Sequence, residues 1–274
     1  MNNLLPHSLR HPRSSNLPAR VHSVLAALLV CLSFHSMALA EWTIISTKSI
    51  GSPCPGLDVV QTECKNGDAT ARLTALVFKD NTYTLRVVDS PSPGNAILEN
   101  SLRHAGVPAG VNGGYFHPDF TPLGLVVSNA TTLHNYEKAK LLSGVVGADS
   151  SGRISILRST EYRSKKPDFR DAIQCGPMLL EKGSPVSGLN AERIARRTAA
   201  ATGTSGLAAL VYISSVSLKD AAQILALPKI FGAWAPSSAL NLDGGTSSGM
   251  WADAIISLPE IKRVRNFLAV VPLD

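Results

Sequence analysis

Short apolar runs separated by polar turns dominate this chain, and only two stretches carry a helical period. Arg72 to Phe78 and Thr82 to Val88 flank the polar triplet Lys79-Asp80-Asn81, which predicts a hairpin over 70–89. Further short strands are expected at 123–128, 143–148, 153–158, 172–175, 177–181, 197–202 and 206–213. Asp149-Ser150-Ser151-Gly152 makes a turn between two of them. Ala239 to Leu242, apolar but for Asn241, and Phe267 to Val271 are expected to be buried strands. Residues 95–105 predict an amphipathic helix stopped by Gly106. Ser217-Leu218-Lys219-Asp220 is a capping box ahead of a second helix, 218–227, which Pro228 ends. Many strands with few helices between them predict an α+β fold, a single domain with a mixed, strand-rich sheet and a few helices, rather than a regular βαβ repeat.

The first forty residues follow a different pattern. Arg10, Arg13 and Arg20 lie in a polar stretch without acids, Val24 to Phe34 is apolar, and Met37-Ala38-Leu39-Ala40 supplies small residues before Glu41. These are the three parts of a secretory signal peptide. The apolar run is about half the ~20 residues a membrane span needs. Val30 before Cys31 argues against lipid attachment. The expectation is export, periplasmic or secreted, without a stable membrane anchor. The segments are then 1–40, signal peptide; 41–69, an irregular N-terminal segment; and 70–274, the main domain.

Charge changes meaning once that signal is set aside. The full chain has 274 residues and a net charge of +6, but without residues 1–40 it has 234 residues and 23 basic against 20 acidic side chains, a net of +3. No basic block with interleaved aromatics is left, so nucleic acid is not an expected partner. The sequence sets no oligomeric state. Cys54 and Cys64 lie close together around Pro53, Pro55 and Gly56, and in an oxidising compartment they are expected to form a disulfide. Such a bridge would contribute ~2–3 kcal/mol. Cys175 is left over, and no CxxC pair or HExxH segment supports a zinc site.

Four short motifs carry candidate chemistry. In Val111-Asn112-Gly113-Gly114-Tyr115-Phe116, adjacent glycines let a ligand approach the main-chain amides, and the same Asn-Gly pair also suits a plain turn. Gln174-Cys175-Gly176-Pro177 breaks a strand and could wall a pocket, with an inert buried thiol the commoner state of such a cysteine. Arg196-Arg197-Thr198 puts a guanidinium at the start of a strand, where it can fork onto a phosphate or sit solvated at an edge. In Asn241-Leu242-Asp243-Gly244-Gly245-Thr246-Ser247-Ser248, a strand delivers a carboxylate to its end beside a glycine nest suited to an anion. Gly245 to Gly249 also matches the G-x-S-x-G nucleophile elbow. No histidine follows His134, so the Ser-Asp-His order that this elbow requires does not hold, which argues against a serine esterase.

Taken in order, Asn112-Gly113-Gly114, Cys175-Gly176-Pro177, Arg197-Thr198 and Asn241-Leu242-Asp243-Gly244-Gly245 resemble the phosphodiester glycosidase family over roughly residues 70–272. The resemblance implies hydrolysis of a sugar-1-phosphodiester in a glycan or cell-envelope polymer. It implies Asp243, Arg197 and Asn112 as catalytic residues, with Arg197 and the amides of Gly244 and Gly245 holding the phosphate. Gly113, Gly114, Thr198, Thr246 and Ser247 would complete the substrate contacts. A second carboxylate, if used, stays open among Asp119, Asp171, Glu181 and Glu192. No cofactor is implied, and a hard cation such as calcium at the Asp-Gly-Gly turn has no loop motif behind it. The segment His117 to Pro122 has no counterpart in the family pattern. The alternative is a non-catalytic exported glycan-binding protein on the same scaffold. The scatter of Trp42, Trp234 and Trp251 weighs against that alternative, and convergence of Asn112, Arg197 and Asp243 on one pocket is the expectation.

Overall fold

The apolar runs become strands nearly where the sequence places them, and most of the new information is in how they pair. The computed structural model describes residues 41–92, 94 and 96–273. Among these, the strands form three sheets, and every ladder is antiparallel. The class is α+β, as expected; the expected mixed sheet resolves into three antiparallel ones.

The largest sheet has eight strands. Its order is β1 (Thr43–Cys54), β2 (Leu57–Asn66), β3 (Ala69–Lys79), β14 (Leu207–Val216), β13 (Ala195–Thr202), β15 (Ser238–Asn241), β11 (Met178–Glu181) and β12 (Ser184–Pro185). A second sheet orders β7 (Thr131–His134), β6 (Val126–Ser128), β10 (Phe169–Cys175), β8 (Gly144–Asp149) and β9 (Ile154–Arg158). The third orders β17 (Ile256–Leu258), β16 (Met250–Ala252), β5 (Ala109–Asn112), β18 (Asn266–Pro272) and β4 (Tyr83–Asp89).

The central strands of the large sheet are buried on both faces, which is why they read as unbroken apolar runs. Ala200, Leu210 and Leu240 face the core shared with Val111, Leu268 and Val270 of the third sheet and Val146 and Ile173 of the second. Their neighbours Ala199, Val211 and Ala239 face the opposite way, onto helix α3 (Leu218–Leu225), whose Ala221, Ala222, Ile224 and Leu225 are buried there. Each fully buried leucine or isoleucine contributes roughly 1.5–3 kcal/mol, so this helix is fixed mainly by its apolar face. Its start is capped as the sequence predicts: Asp220 N–H donates to Ser217 Oγ at 3.0 Å. The Asp220 carboxylate also accepts from Ser217 Oγ at 2.6 Å and from Trp42 Nε1 at 3.0 Å, which ties the first strand to the helix. Helix α1 (Leu98–His104) packs Leu98 and Leu102 beside Trp251 and Phe267, and Gly106 follows it at φ +66°. Helix α2 (Ser159–Lys165) has no counterpart in the expected elements.

Three expectations are corrected. Residues 70–89 form two strands but no hairpin: β3 pairs with β2 and β14, while β4 crosses to the third sheet and pairs with β18. The segment 41–69 is not irregular, because β1 and β2 form a hairpin along the edge of the large sheet, turning at Pro55-Gly56 with Gly56 at φ +84°. The Cys54–Cys64 disulfide is absent, and the thiols are free. The register sets Cys54 opposite Leu57 and Cys64 opposite Ile44. Seven positions along β2 then separate the cysteines, about 23 Å at strand rise, against the ~5–6 Å that a bridge spans. The expected signal peptide, 1–40, lies outside the described residues. Among those described, no helix is long and apolar enough to cross a membrane.

Candidate active site

Two strand ends from different sheets meet at the site. β5 runs out into Gly113-Gly114, and β15 runs out into Leu242-Asp243. Asn112 binds them together. Its Nδ2 donates to the Asp243 carbonyl at 2.8 Å and to the Gly113 carbonyl at 3.3 Å, and its Oδ1 accepts from Gly249 N–H at 3.1 Å. Asp243 N–H returns a bond to the Gly113 carbonyl at 3.1 Å. Asn112 is fully buried. Its amide therefore fixes the loop that carries Asp243, and Asn112 is not among the residues that line the cleft, where it was expected to converge with Arg197 and Asp243. Gly113 is needed for close approach: a Cβ there would stand 2.0 Å from Asn266 Oδ1. That same Oδ1 accepts from Gly114 N–H at 2.8 Å. Both glycines are framework, where substrate contacts were expected.

In front of this framework lies a cleft of about 350 Å³. Asp243, Gly244, Gly245, Arg197 and Asn241 line it, together with Tyr115, Arg193, Asn190, Leu141, Pro177 and Leu218. Arg197 and Asp243 thus converge as expected. Arg197 comes from β13 and is 6% exposed. Its Nε donates to the Val216 carbonyl at 3.1 Å and its Nη2 to the Arg193 carbonyl at 2.6 Å. No ion pair among the described residues involves Arg197 or Arg193. Burial pulls the Arg197 pKa down, and the Arg193 charge adds to that. The guanidinium still stays charged, because arginine ionises so far above neutrality. Gly244 lies against this guanidinium: a Cβ there would meet Arg197 Nη1 at 3.6 Å, an ordinary contact distance. Arg196, next to it, turns the other way and straps the following loop through the carbonyls of Gly245 at 3.1 Å and Thr246 at 3.4 Å.

Asp243 is half-buried, and its Oδ1 accepts from Gly244 N–H at 2.8 Å. The Gly244 amide is thus engaged by the carboxylate, which leaves Gly245 as the amide of the expected pair not tied to it. Desolvation raises the Asp243 pKa above the usual carboxylate range, against the opposing pull of the Ser247 hydroxyl, Gly244 N–H and the charges of Lys262 and Arg193. Asp243 is the one carboxylate lining the cleft among the described residues. The candidates for a second lie elsewhere. Asp171 accepts from the amides of Val87 and Asn129, Glu181 pairs with Arg158, Asp119 caps its own loop through Thr121, and Glu192 is exposed on a loop.

Tyr115 and Asn241 form the remaining polar wall. Tyr115 Oη donates to the Gly176 carbonyl at 2.5 Å and accepts from Asn241 Nδ2 at 3.2 Å. Burial, with Cys175 and Asp243 nearby, pushes the phenol pKa strongly up and keeps it protonated. Asn241 Nδ2 also meets the carbonyls of Gly176 at 2.9 Å and Leu242 at 2.5 Å, which fixes the orientation of the amide. Its Oδ1 is buried and has no protein partner. An acceptor left unmet at the wall of a cleft suits a ligand hydroxyl or N–H. Thr198 and Ser247 are buried outside the cleft lining and Thr246 is exposed; Ser247 acts through Asp243 instead. Cys175 is fully buried, and burial and the Asp243 charge raise its thiol pKa far above neutrality, so it is no nucleophile.

Sequence reasoning did not single out Tyr115, Asn241, Arg193 or Asn190. The first two lie inside quoted motifs, and strand alternation would have put Asn241 on the same face as Asp243. Arg193 and Asn190 lie on a loop ahead of β13 with no local signal.

The fold and the cleft define an α+β protein whose cleft is lined by a buried guanidinium that enters no ion pair among the described residues and by a single carboxylate. The phosphodiester glycosidase family profile matches residues 105–271, more than half of the chain, and the chain belongs to that family. No curated protein sequence matches it. Among solved structures it is similar to a hypothetical protein from Synechocystis, at 18% identity and a TM-score of 0.59, covering 82% of this chain and 63% of that one. It is also similar to the catalytic domain of zebrafish N-acetylglucosamine-1-phosphodiester alpha-N-acetylglucosaminidase, auto-inhibited by its pro-peptide. There the identity is 16% and the TM-score 0.58, covering 86% of this chain and 85% of that one. At these identities the likeness is one of fold.

Proposed function

We propose that the protein is an exported glycosidase that hydrolyses a sugar-1-phosphodiester bond in a glycan or cell-envelope polymer. The observation that carries this reading is Arg197, a buried guanidinium tied to two carbonyls and no carboxylate, opening on the same cleft as Asp243. Arg197 and the Gly245 amide hold the anionic diester. Asp243, ionised, stabilises the positive charge that develops on the sugar ring as the C1–O bond lengthens. The bond breaks with its electron pair going to the phosphate oxygen, which leaves as a phosphomonoester. Water oxygen adds to C1, and its proton passes to solvent. A phosphate is a weak base, so departure needs little protonation, and one carboxylate in the cleft is compatible with the reaction.

The test is release of free sugar from a sugar-1-phosphodiester by the wild type, Asp243→Asn and Arg197→Lys, each checked for folding by thermal melting. The wild type should turn over, and each variant should lose about a hundredfold or more in kcat/KM. Folded variants with full rate would overturn the site. A wild type that binds the diester without cleaving it would favour the glycan-binding alternative.

A further inference from the structure

The wall of the cleft formed by Leu141 separates it from a second concavity. Leu141 lines the cleft, while its chain neighbours Lys140 and Leu142 line a hollow of about 460 Å³. The wall is packed rather than loose: a Cβ at Gly176 would stand 2.2 Å from the Leu141 carbonyl. Ser143, also lining the hollow, accepts from Met178 N–H at 2.8 Å, one residue from Pro177 of the cleft. The two concavities are therefore held in fixed relation by a single short segment.

The hollow is basic. Lys138, Lys140, Arg158 and Arg163 line it, and no acidic residue does. Arg158 pairs with Glu181. Lys138, Lys140 and Arg163 enter none of the ion pairs among the described residues. Tyr136 adds an apolar surface, its ring held by stacking on Tyr162 at 5.8 Å between centroids. Isolated surface lysines are ordinarily solvated and idle. Three unpaired cations around a ligand-sized concavity, one residue from a cleft that itself carries Arg193 and Arg197, are a different arrangement. Leu141 of the cleft is directly joined to Lys140 and Leu142 of the hollow, ~3.8 Å away from Cα to Cα, so the two concavities adjoin and one phosphodiester-linked chain can run across both. Screening confines such attraction to about 10 Å, so a second phosphate gains from the hollow only by entering it.

We propose that this hollow is a second anion subsite, which holds the neighbouring phosphodiester of a sugar-phosphate polymer while the cleft holds the bond to be cut. This deepens the function proposed above and rests on it for the catalytic step. The substrate class it selects is a polyanionic chain with regularly spaced phosphodiesters, rather than a small diester.

Two measurements separate the subsite from the reaction. The first compares kcat/KM for a single sugar-1-phosphodiester and for an oligomer of several such repeats. The wild type should prefer the oligomer by about tenfold or more, and the preference should shrink with added salt. A Lys138→Ala/Lys140→Ala/Arg163→Ala variant that melts like the wild type should lose that preference. A variant that keeps it overturns the proposal. The second is calorimetric binding of the same oligomer to wild type and triple variant, which reports on the subsite even if nothing is turned over. Weakening of about tenfold in the variant supports the subsite whatever the chemistry. Equal binding by both proteins, or no binding by the wild type, overturns it.

Discussion

Asn112 Nδ2 donates to the main-chain carbonyl of Asp243 at 2.8 Å, across 131 positions of sequence. This bond joins the third sheet to the large sheet at the point where the carboxylate emerges. An asparagine that looks like a catalytic group from its motif is thus the clamp behind the loop that carries Asp243. Asn112→Ala removes this bond and strands the Gly249 amide as well, at a cost of about 3 kcal/mol. The expected outcome is a melting temperature lower by about 5–10 °C. Activity should be lost in proportion to misplacement of Asp243, and a variant with unchanged melting would refute the clamp.

The ionised carboxylate that the proposed reaction needs at Asp243 is one whose charge costs stability. Its folded pKa is raised, so between the unfolded value near 3.9 and the raised value the folded state holds the proton more tightly. Stability falls as pH rises through that window, and above it the cost is fully present. Asp243→Asn should therefore raise the melting temperature at pH 7 while abolishing turnover, and the gain should vanish near pH 3. In the wild type, the acid limb of the rate profile should lie above the ordinary aspartate range. A less stable Asp243→Asn protein at pH 7 would contradict the desolvation argument.

Asn241 should read a donor on the substrate. Its Nδ2 is shared among Gly176, Leu242 and Tyr115, and its buried Oδ1 has no protein partner. Removing the matching hydroxyl or N–H from the substrate should cost the wild type about ten- to a hundredfold in kcat/KM. Asn241→Ala should be nearly indifferent to the same change. A set of deoxy substrates measured against both proteins forms the cycle, and additive effects at every position would exclude direct recognition.

The cysteines give a simple chemical check. A thiol reagent should modify Cys54 in the native protein, while Cys64 and Cys175 wait for unfolding. Burial pushes the Cys64 pKa up to about 11, which suppresses its thiolate further. Reducing agent should leave the melting temperature unchanged, and a native mass two hydrogens short would show the bridge that strand register disallows.

What the sequence displayed best was local: strands of the buried sheet, the Ser217 cap, and an Asp delivered by an apolar strand. What it hid was relational. β1 lies at a sheet edge with mostly exposed or half-exposed positions and register shifts around Gly51, so its period of two is blurred and it resembled a loop. β3 and β4 are adjacent in sequence, yet their partners lie far along the chain, and no local turn signal records that choice. The same limit applies at the site. Asn112 and Tyr115 belong to one motif, but only the meeting of two sheets decides that one props and the other faces the cleft. Arg193 became legible only when its loop folded over Arg197.

The guanidinium of Arg197 has one more consequence. A guanidinium this enclosed, tied to two carbonyls, is expected to take up an anion from solution, which the substrate of the proposed reaction would have to displace. The product of cleavage carries more negative charge than the diester it came from. In the proposed reaction, the feature that draws the diester in would therefore also slow release of the phosphomonoester, so turnover would be governed by departure as much as by bond breaking.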